Sequence, residues 1–211
     1  MLRLLLVRHG QTAWNVQRRV LGATDVPLDD TGLEQAETLA AHLAPPDALW
    51  SSPLARARQT AEALAQRGSP PVTVRVDPRL AEMNQGDLEG LGEMELSARF
   101  GDLLHAWRAD PGGLRLPGGE TMNETVERAI AALLHIARDE SAREGAAGEL
   151  RHVAVVTHQV VIEASVCGLL GEPLSRWQRH TLRNTAWTEL EWDGARLTVV
   201  AERQAPHLPA G

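Results

Sequence analysis

Two short, mostly apolar runs lie near opposite ends of the chain. Each stops on a histidine, and this constrains the fold more than any other feature. The first, from Leu2 to Val7, gives way to Arg8-His9-Gly10; the second, Val153-Ala154-Val155-Val156-Thr157, gives way to His158. Strand ends in an open parallel sheet share one crevice, the usual place for ligands, so two imidazoles about 150 residues apart can face one substrate atom. That pairing points to phosphoryl chemistry on histidine.

Between the two runs the pattern alternates strand and helix. Thr31-Gly32-Leu33-Glu34 reads as a capping box opening a helix with Leu33, Ala36, Leu39, Ala40 and Leu43 at helical spacing, ended by Pro45-Pro46. Ala48-Leu49-Trp50 is a short strand, and Ser52 with Pro53 behind it is predicted to cap the next helix, placing Arg56 near a helix N-terminus where anions are favoured. Val72 to Val76 alternates as a strand and leads into the loop carrying Glu82. Thr121-Met122-Asn123-Glu124 is a second capping box, opening a long helix with Val126, Ala129, Ile130, Leu133 and Leu134 on one face. After His158 a helix runs from about Gln159 to Leu170, and a hairpin around Asp193-Gly194 closes the chain, with arms Thr185–Trp192 and Arg196–Ala201. The tail Pro206-His207-Leu208-Pro209 reads as frayed.

This order predicts an α/β fold, a three-layer α/β/α sandwich with a mainly parallel central sheet. No linker divides the 211 residues, so the expectation is a single domain over 1–211, with a small cap-like insertion at about 90–118. Within that insertion Met94, Leu96, Phe100, Leu103, Leu104 and Trp107 are candidates for core packing or for lining a substrate pocket.

Composition removes several chemistries. The chain has no lysine and no tyrosine, so its 21 basic residues are all arginine. Schiff-base lysines, Gly-Lys-Ser/Thr phosphate loops and tyrosine nucleophiles are excluded. A net charge of −7 argues against a general nucleic-acid binder, and an anionic ligand must be met by local arginines. The lone Cys167 excludes a disulfide scaffold and a multi-cysteine zinc site; in its apolar helical stretch it reads as a small buried hydrophobe. The N-terminal run is too short for a signal peptide and no stretch is long enough to span a membrane, so a cytoplasmic, membrane-free protein is expected.

Several blocks in order carry a family resemblance. Arg8-His9-Gly10 continues through Gln11-Thr12-Ala13-Trp14-Asn15, then Gly22, Asp25-Val26-Pro27-Leu28 and Gly32. Ser51 to Ala61, Glu82 with Gly86 to Gly90, Pro117-Gly118-Gly119-Glu120 and Val156-Thr157-His158 follow. Across roughly residues 1 to 165 the chain resembles the histidine phosphatase superfamily, whose best-known branch contains the cofactor-dependent phosphoglycerate mutases. The resemblance implies a phosphoglycerate mutase-like fold. It also implies that His9 is the phosphorylated nucleophile, that Arg8, Arg56 and His158 hold the phosphoryl group, that Glu82 donates the proton and that Asn15 adds a polar contact.

The residue chemistry agrees with those roles. A neutral imidazole can attack phosphorus if its other ring N–H is held, and a carbonyl in the turn at Gly10 is a candidate holder. Two arginines and His158 supply donors to the non-bridging oxygens without a metal, with backbone N–H groups after His158 as further candidates. Apolar neighbours Leu80, Ala81 and Met83 are expected to raise the pKa of Glu82. His42, His105, His135, His152, His180 and His207 lack such context and read as non-catalytic.

The sequence also departs from the family pattern. Gln159 follows the second histidine where many relatives have glycine, Leu21 precedes Gly22 where a polar ligand-touching residue is frequent, and Leu88 stands where an aromatic is common. Leu21, Gly22 and Gln159, with Asn15, are the candidate substrate-binding positions. The mutases carry a longer, more basic insertion, whereas here Arg99, Arg108 and Arg115 are its cations. The expectation is therefore a cofactor-free, metal-independent phosphatase for small phosphorylated metabolites. The alternatives are a phosphoglycerate mutase, a non-catalytic phospho-ligand binding module and, weaker, a metal hydrolase, for which His9 and His158 lack closely spaced partners. The closing hairpin is a candidate surface for a homodimer.

Overall fold

The structure, a computed structural model, describes residues 1–143 and 150–209. Its elements run β1 (Leu2–Arg8), α1 (Ala13–Val16), α2 (Asp30–His42), β2 (Ala48–Ser51), α3 (Ala55–Ala65), β3 (Val74–Val76), α4 (Glu93–Ala109), α5 (Met122–Ser141), β4 (Arg151–Thr157), α6 (Gln159–Leu170), β5 (Trp187–Trp192) and β6 (Leu197–Gln204). Among the described residues the strands form one six-stranded sheet in the order β3-β2-β4-β1-β5-β6. The four strands from β3 to β1 are parallel, while β5 runs antiparallel to β1 and β6 to β5. The sheet is thus mainly parallel with an antiparallel hairpin on one edge.

β1 lies in the middle, covered on both faces, which is why its sequence is apolar with little alternation. Leu4 and Leu6 point to one side, packing with Ala132, Leu133 and Ile136 of α5 and Ile162 and Val166 of α6. Leu5 and Val7 point to the other, against Leu39 and Ala40 of α2 and Ala57, Ala61 and Leu64 of α3. Each such leucine contributes about 1.5–3 kcal/mol by leaving water. A third cluster, built on Met83, Leu88, Leu116, Met122 and Val160, receives Leu96, Phe100, Leu103, Leu104 and Trp107 from α4. Met94 does neither of the things expected of it and stands 87 % exposed.

Three local expectations change. α2 starts earlier than its apparent box: Asp29 is the cap, and its carboxylate accepts the Gly32 N–H at 2.8 Å. Gly32 then lies in the first turn, its backbone so close to the loop after His9 that a Cβ there would meet the Gln11 carbonyl oxygen at 2.0 Å. Ser52 does not cap α3; Leu54 takes that position, and Asp25 accepts the Ala55 N–H at 2.6 Å from across the chain. The tail is tied down. His207 stacks on Trp187 with ring centroids 5.7 Å apart and meets the Thr185 hydroxyl at 3.0 Å, while Arg183 donates to the Pro209 carbonyl at 2.8 Å. The Thr121–Glu124 box forms as expected. No helix among the described residues is long and apolar enough to cross a membrane.

Candidate active site

The register of β1 on β4 places the two histidines. Arg8 pairs with Thr157, so the next residue on each strand, His9 and His158, emerges at the same level on adjacent strands. The His9 N–H donates to the Thr157 carbonyl at 3.1 Å, and the imidazole centroids lie 5.2 Å apart, tilted by 58°. His9 Nδ1 sits 2.6 Å from the Gly10 carbonyl oxygen. Because a carbonyl can only accept, the ring proton resides on Nδ1 and the lone pair is left on Nε2. Gly10 is held in turn by its N–H to the Thr60 hydroxyl at 3.0 Å, and the His9 carbonyl accepts from the Asn184 amide at 2.9 Å. Burial, then the guanidinium groups of Arg56 and Arg8, holds the His9 pKa well below the ordinary imidazole value, so the ring is neutral at neutral pH.

His158 is fully buried, and the same influences, burial first and then Arg56, hold it well below the ordinary value as well. Its Nε2 meets the Ser52 hydroxyl at 2.7 Å, which is where Ser52 is used instead of in a helix cap. Its Nδ1 has no partner among the described residues. Arg56, also fully buried, donates to the carbonyls of Thr24 at 2.9 Å and Gly22 at 2.7 Å, leaving Nε without an acceptor. Burial pulls it down to about 10, so it stays cationic at neutral pH. Arg8 donates through Nη1 to the Leu182 carbonyl, and its Nε too lacks an acceptor. Burial lowers its pKa, opposed by Glu163 and Glu82.

Glu82 is 4 % exposed. Burial pushes its pKa up, although both carboxyl oxygens accept backbone N–H groups, from Met83 at 2.9 Å and from Val160 at 3.3 Å. The start of α6 thus already donates one of its N–H groups to Glu82. The loop carrying Glu82 is fixed by Arg128 of α5, which donates to the carbonyls of Arg79 (2.8 Å), Ala81 (2.6 Å) and Glu82 (3.0 Å) and is oriented by Glu120 at 2.9 Å. Behind Arg8, the carboxyl of Glu163 accepts the Leu182 N–H at 3.2 Å, and burial raises its pKa to about 7.

A cavity of about 220 Å³ opens onto these groups. Of the residues singled out from sequence, Arg8, His9, Asn15, Leu21, Glu82, Trp107 and Gln159 line it; Arg56, His158 and Gly22 do not. Asn15 spends its amide oxygen on the Thr12 N–H at 3.1 Å and on Asn184 at 3.4 Å. Gly22 serves through its carbonyl on Arg56. Sequence reasoning missed Arg19, Gln85 and Trp177 in the lining, and missed Arg128 and Asn184 behind it. Arg19 and Trp177 come from irregular segments where no periodicity marks them; Trp177 lies in the 3₁₀ turn Leu174–His180, edge-to-face with Trp107 at 6.1 Å. The indole N–H of Trp107 is a further buried donor without an acceptor among the described residues.

The chain is 37 % identical over 191 residues to the glucosyl-3-phosphoglycerate phosphatase of Mycolicibacterium vanbaalenii, covering 89 % of this chain and 83 % of that one. It is 33 % identical over 194 residues to a Yersinia pestis protein named "Probable phosphoglycerate mutase GpmB", covering 91 % and 86 %. The solved mycobacterial glucosyl-3-phosphoglycerate phosphatase in complex with VO3 superposes with a TM-score of 0.82 at 32 % identity, over 96 % of this chain and 99 % of that one. The profile of the histidine phosphatase superfamily, branch 1, matches residues 4–204, and the chain belongs to that family.

Proposed function

We propose that the protein is a phosphatase that hydrolyses small phosphomonoesters through a phosphohistidine on His9, without a catalytic metal. One observation carries the reading: three buried nitrogens near His9, Arg8 Nε, Arg56 Nε and His158 Nδ1, have no partner among the described residues, the last being an N–H donor when Nε2 accepts from the Ser52 hydroxyl. Buried donors are nearly always paired, so a cluster of orphans beside a neutral imidazole calls for an anion with several oxygens. A phosphoryl group supplies them.

With the phosphoryl oxygens on those donors, His9 Nε2 attacks phosphorus in line and the ester P–O bond breaks. Glu82, its pKa raised by burial, gives a proton to the leaving alkoxide. Water then attacks phosphorus as Glu82 takes up its proton, the Nε2–P bond breaks with its electron pair returning to His9, and inorganic phosphate leaves a neutral imidazole. Preorganised charge on the oxygens is the largest expected contribution to rate.

The remaining walls favour a polar, anionic body on the ester. Arg19 offers a further cation, Gln85 and Gln159 offer amides, and α4, acting as a cap over 90–118, brings Trp107 against Trp177. Aromatic faces beside amides suit a sugar or glycerate moiety, in keeping with the relatives named for glucosyl-3-phosphoglycerate. The test is a panel of phosphorylated sugars and glycerates, glucosyl-3-phosphoglycerate included, with free phosphate measured in the presence of chelator. An acid-labile, base-stable phosphoenzyme is expected, lost in His9→Ala. Isomerised phosphoglycerate without comparable free phosphate would make it a mutase instead, and normal hydrolysis by His9→Ala would refute the mechanism.

A further inference from the structure

The far end of α6 carries a second group of ligating side chains. Cys167 near the end of α6, Glu172 just past it and His180 at the end of the Leu174–His180 turn bring a thiol sulfur, a carboxylate oxygen and an imidazole nitrogen within 4.8 Å of one another. Cys167 lies nine positions along the chain from His158, about 13 Å at the helical rise, so the group is separate from the histidine pair. The His180 side chain is 9 % exposed, with Nδ1 held at 2.6 Å by Glu202 of β6. Its Nε2 is aimed at the group and has no hydrogen-bond partner among the described residues. Glu172 Oε2 is also buried without one, 3.7 Å from that Nε2. This separation is too long for a hydrogen bond. It matches the ligand–ligand edge of roughly 3.3–3.8 Å that metal bonds of about 2.0–2.3 Å give in a tetrahedral site.

We propose that Cys167, Glu172 and His180 bind a divalent ion of the zinc class, with Glu202 fixing the His180 ring from behind. Thiolate, imidazole and carboxylate together select zinc or cobalt over magnesium or calcium. A carboxylate on the far nitrogen of a ligating histidine is the arrangement that sets its tautomer and raises its basicity. Glu172, with a side chain 32 % exposed, leaves an entry from solvent and space for water as the fourth ligand. Binding exchanges the thiol proton, released to solvent, for the sulfur–metal bond. The ion pins the segment that carries Trp177 into the cavity and, two residues beyond His180, the Leu182 carbonyl that holds Arg8. Its role is structural and leaves the chemistry at His9 metal-free.

Tag-free full-length protein, stripped with chelator and titrated with Co²⁺ near neutral pH, tests this. The expected result is one equivalent per chain, a thiolate-to-cobalt charge-transfer band displaced by Zn²⁺, and a raised melting temperature. Since the chain has one cysteine, that band reports this site alone. His180→Gln and Glu172→Gln should weaken cobalt binding at least tenfold and Glu202→Gln about 10–100-fold, whereas His9→Ala should bind as the parent does. Absence of the charge-transfer band in the parent protein overturns the site. So does affinity unchanged in both His180→Gln and Glu172→Gln, in which case His180 merely bridges two carboxylates.

Discussion

Gly32→Ala separates helix propensity from tertiary fit more cleanly than any change at the histidines themselves. Gly32 lies in the first turn of α2, where alanine is worth about 1 kcal/mol over glycine, so a helix-only argument predicts a more stable protein. The structure predicts the reverse. A Cβ at Gly32 would lie 2.0 Å from the Gln11 carbonyl oxygen and 2.9 Å from the Gln11 nitrogen, all backbone, with no flexible side chain to swing aside. Gly10 in turn packs on the Gly32 carbonyl, its own absent Cβ 2.5 Å from that oxygen. Relief requires the 10–11 segment to retreat by about 1 Å, and overpacking of this kind costs about 1–3 kcal/mol, enough to cancel or exceed the propensity gain. The same segment supplies the Gly10 carbonyl that holds His9 Nδ1 at 2.6 Å, so the His9 ring, the proposed nucleophile, moves with it. A misplacement of about 1 Å at a reacting group is worth about 100-fold in rate. Urea unfolding at neutral pH should give a variant no more stable than the parent. Acid-quenched phosphoenzyme formation should slow by about two orders of magnitude while far-ultraviolet circular dichroism stays the same. A Gly32→Ala protein more stable than the parent, with phosphoenzyme forming within twofold of the parent rate, would refute the reasoning.

Arg128→Lys keeps the charge but loses the fork that grips three carbonyls of the Glu82 loop, and should lower kcat by about 10–100-fold with little change in KM, measured by steady-state kinetics. Glu163, raised to about 7 from its ordinary 4.5, holds a proton in the folded protein that the unfolded chain has released between those pH values. Stability therefore falls as pH rises through that window. Glu163→Gln should remove about 2–3 kcal/mol of this decline when urea unfolding is compared at pH 5 and pH 8, and an unchanged pH slope would rule the origin out. Glu140 is fully buried under Arg75, Arg151 and the Trp50 indole N–H at 3.0 Å, and Glu140→Ala should cost about 2–3 kcal/mol in thermal or urea unfolding.

What could be read from sequence was what local chemistry decides. The runs ending at His9 and His158 are legible because both faces of β1 and β4 are covered and the residues must be apolar, and Thr121 to Glu124 is legible because a capping box closes within four residues. The start of α2 is set locally, because Asp29 outcompetes Thr31 as the cap by accepting the Gly32 N–H, whereas that of α3 has a tertiary cause: the Ser52 hydroxyl is claimed by a ring 106 residues away. The candidate site divides in the same way: residues inside ordered motifs were found, whereas Arg19 and Trp177, which line the cavity, and Asn184, which holds the His9 carbonyl, sit in irregular stretches that only the folded chain brings together. The tail gave no hint of its stacking because Trp187 and His207 are remote in sequence and their contact satisfies no local pattern.

The pairing of β1 with β4 has a consequence for synthesis on the ribosome. The His9 imidazole is made well before the strand that sets it in place, the ring beside it and the amide on its carbonyl, which belong to β4, His158 and Asn184 much further along the chain. Closing so long a loop carries an entropic cost that nothing repays until the late segments arrive. Recovery of turnover during refolding should therefore lag behind the appearance of helix, marking the moment when β1 and β4 meet.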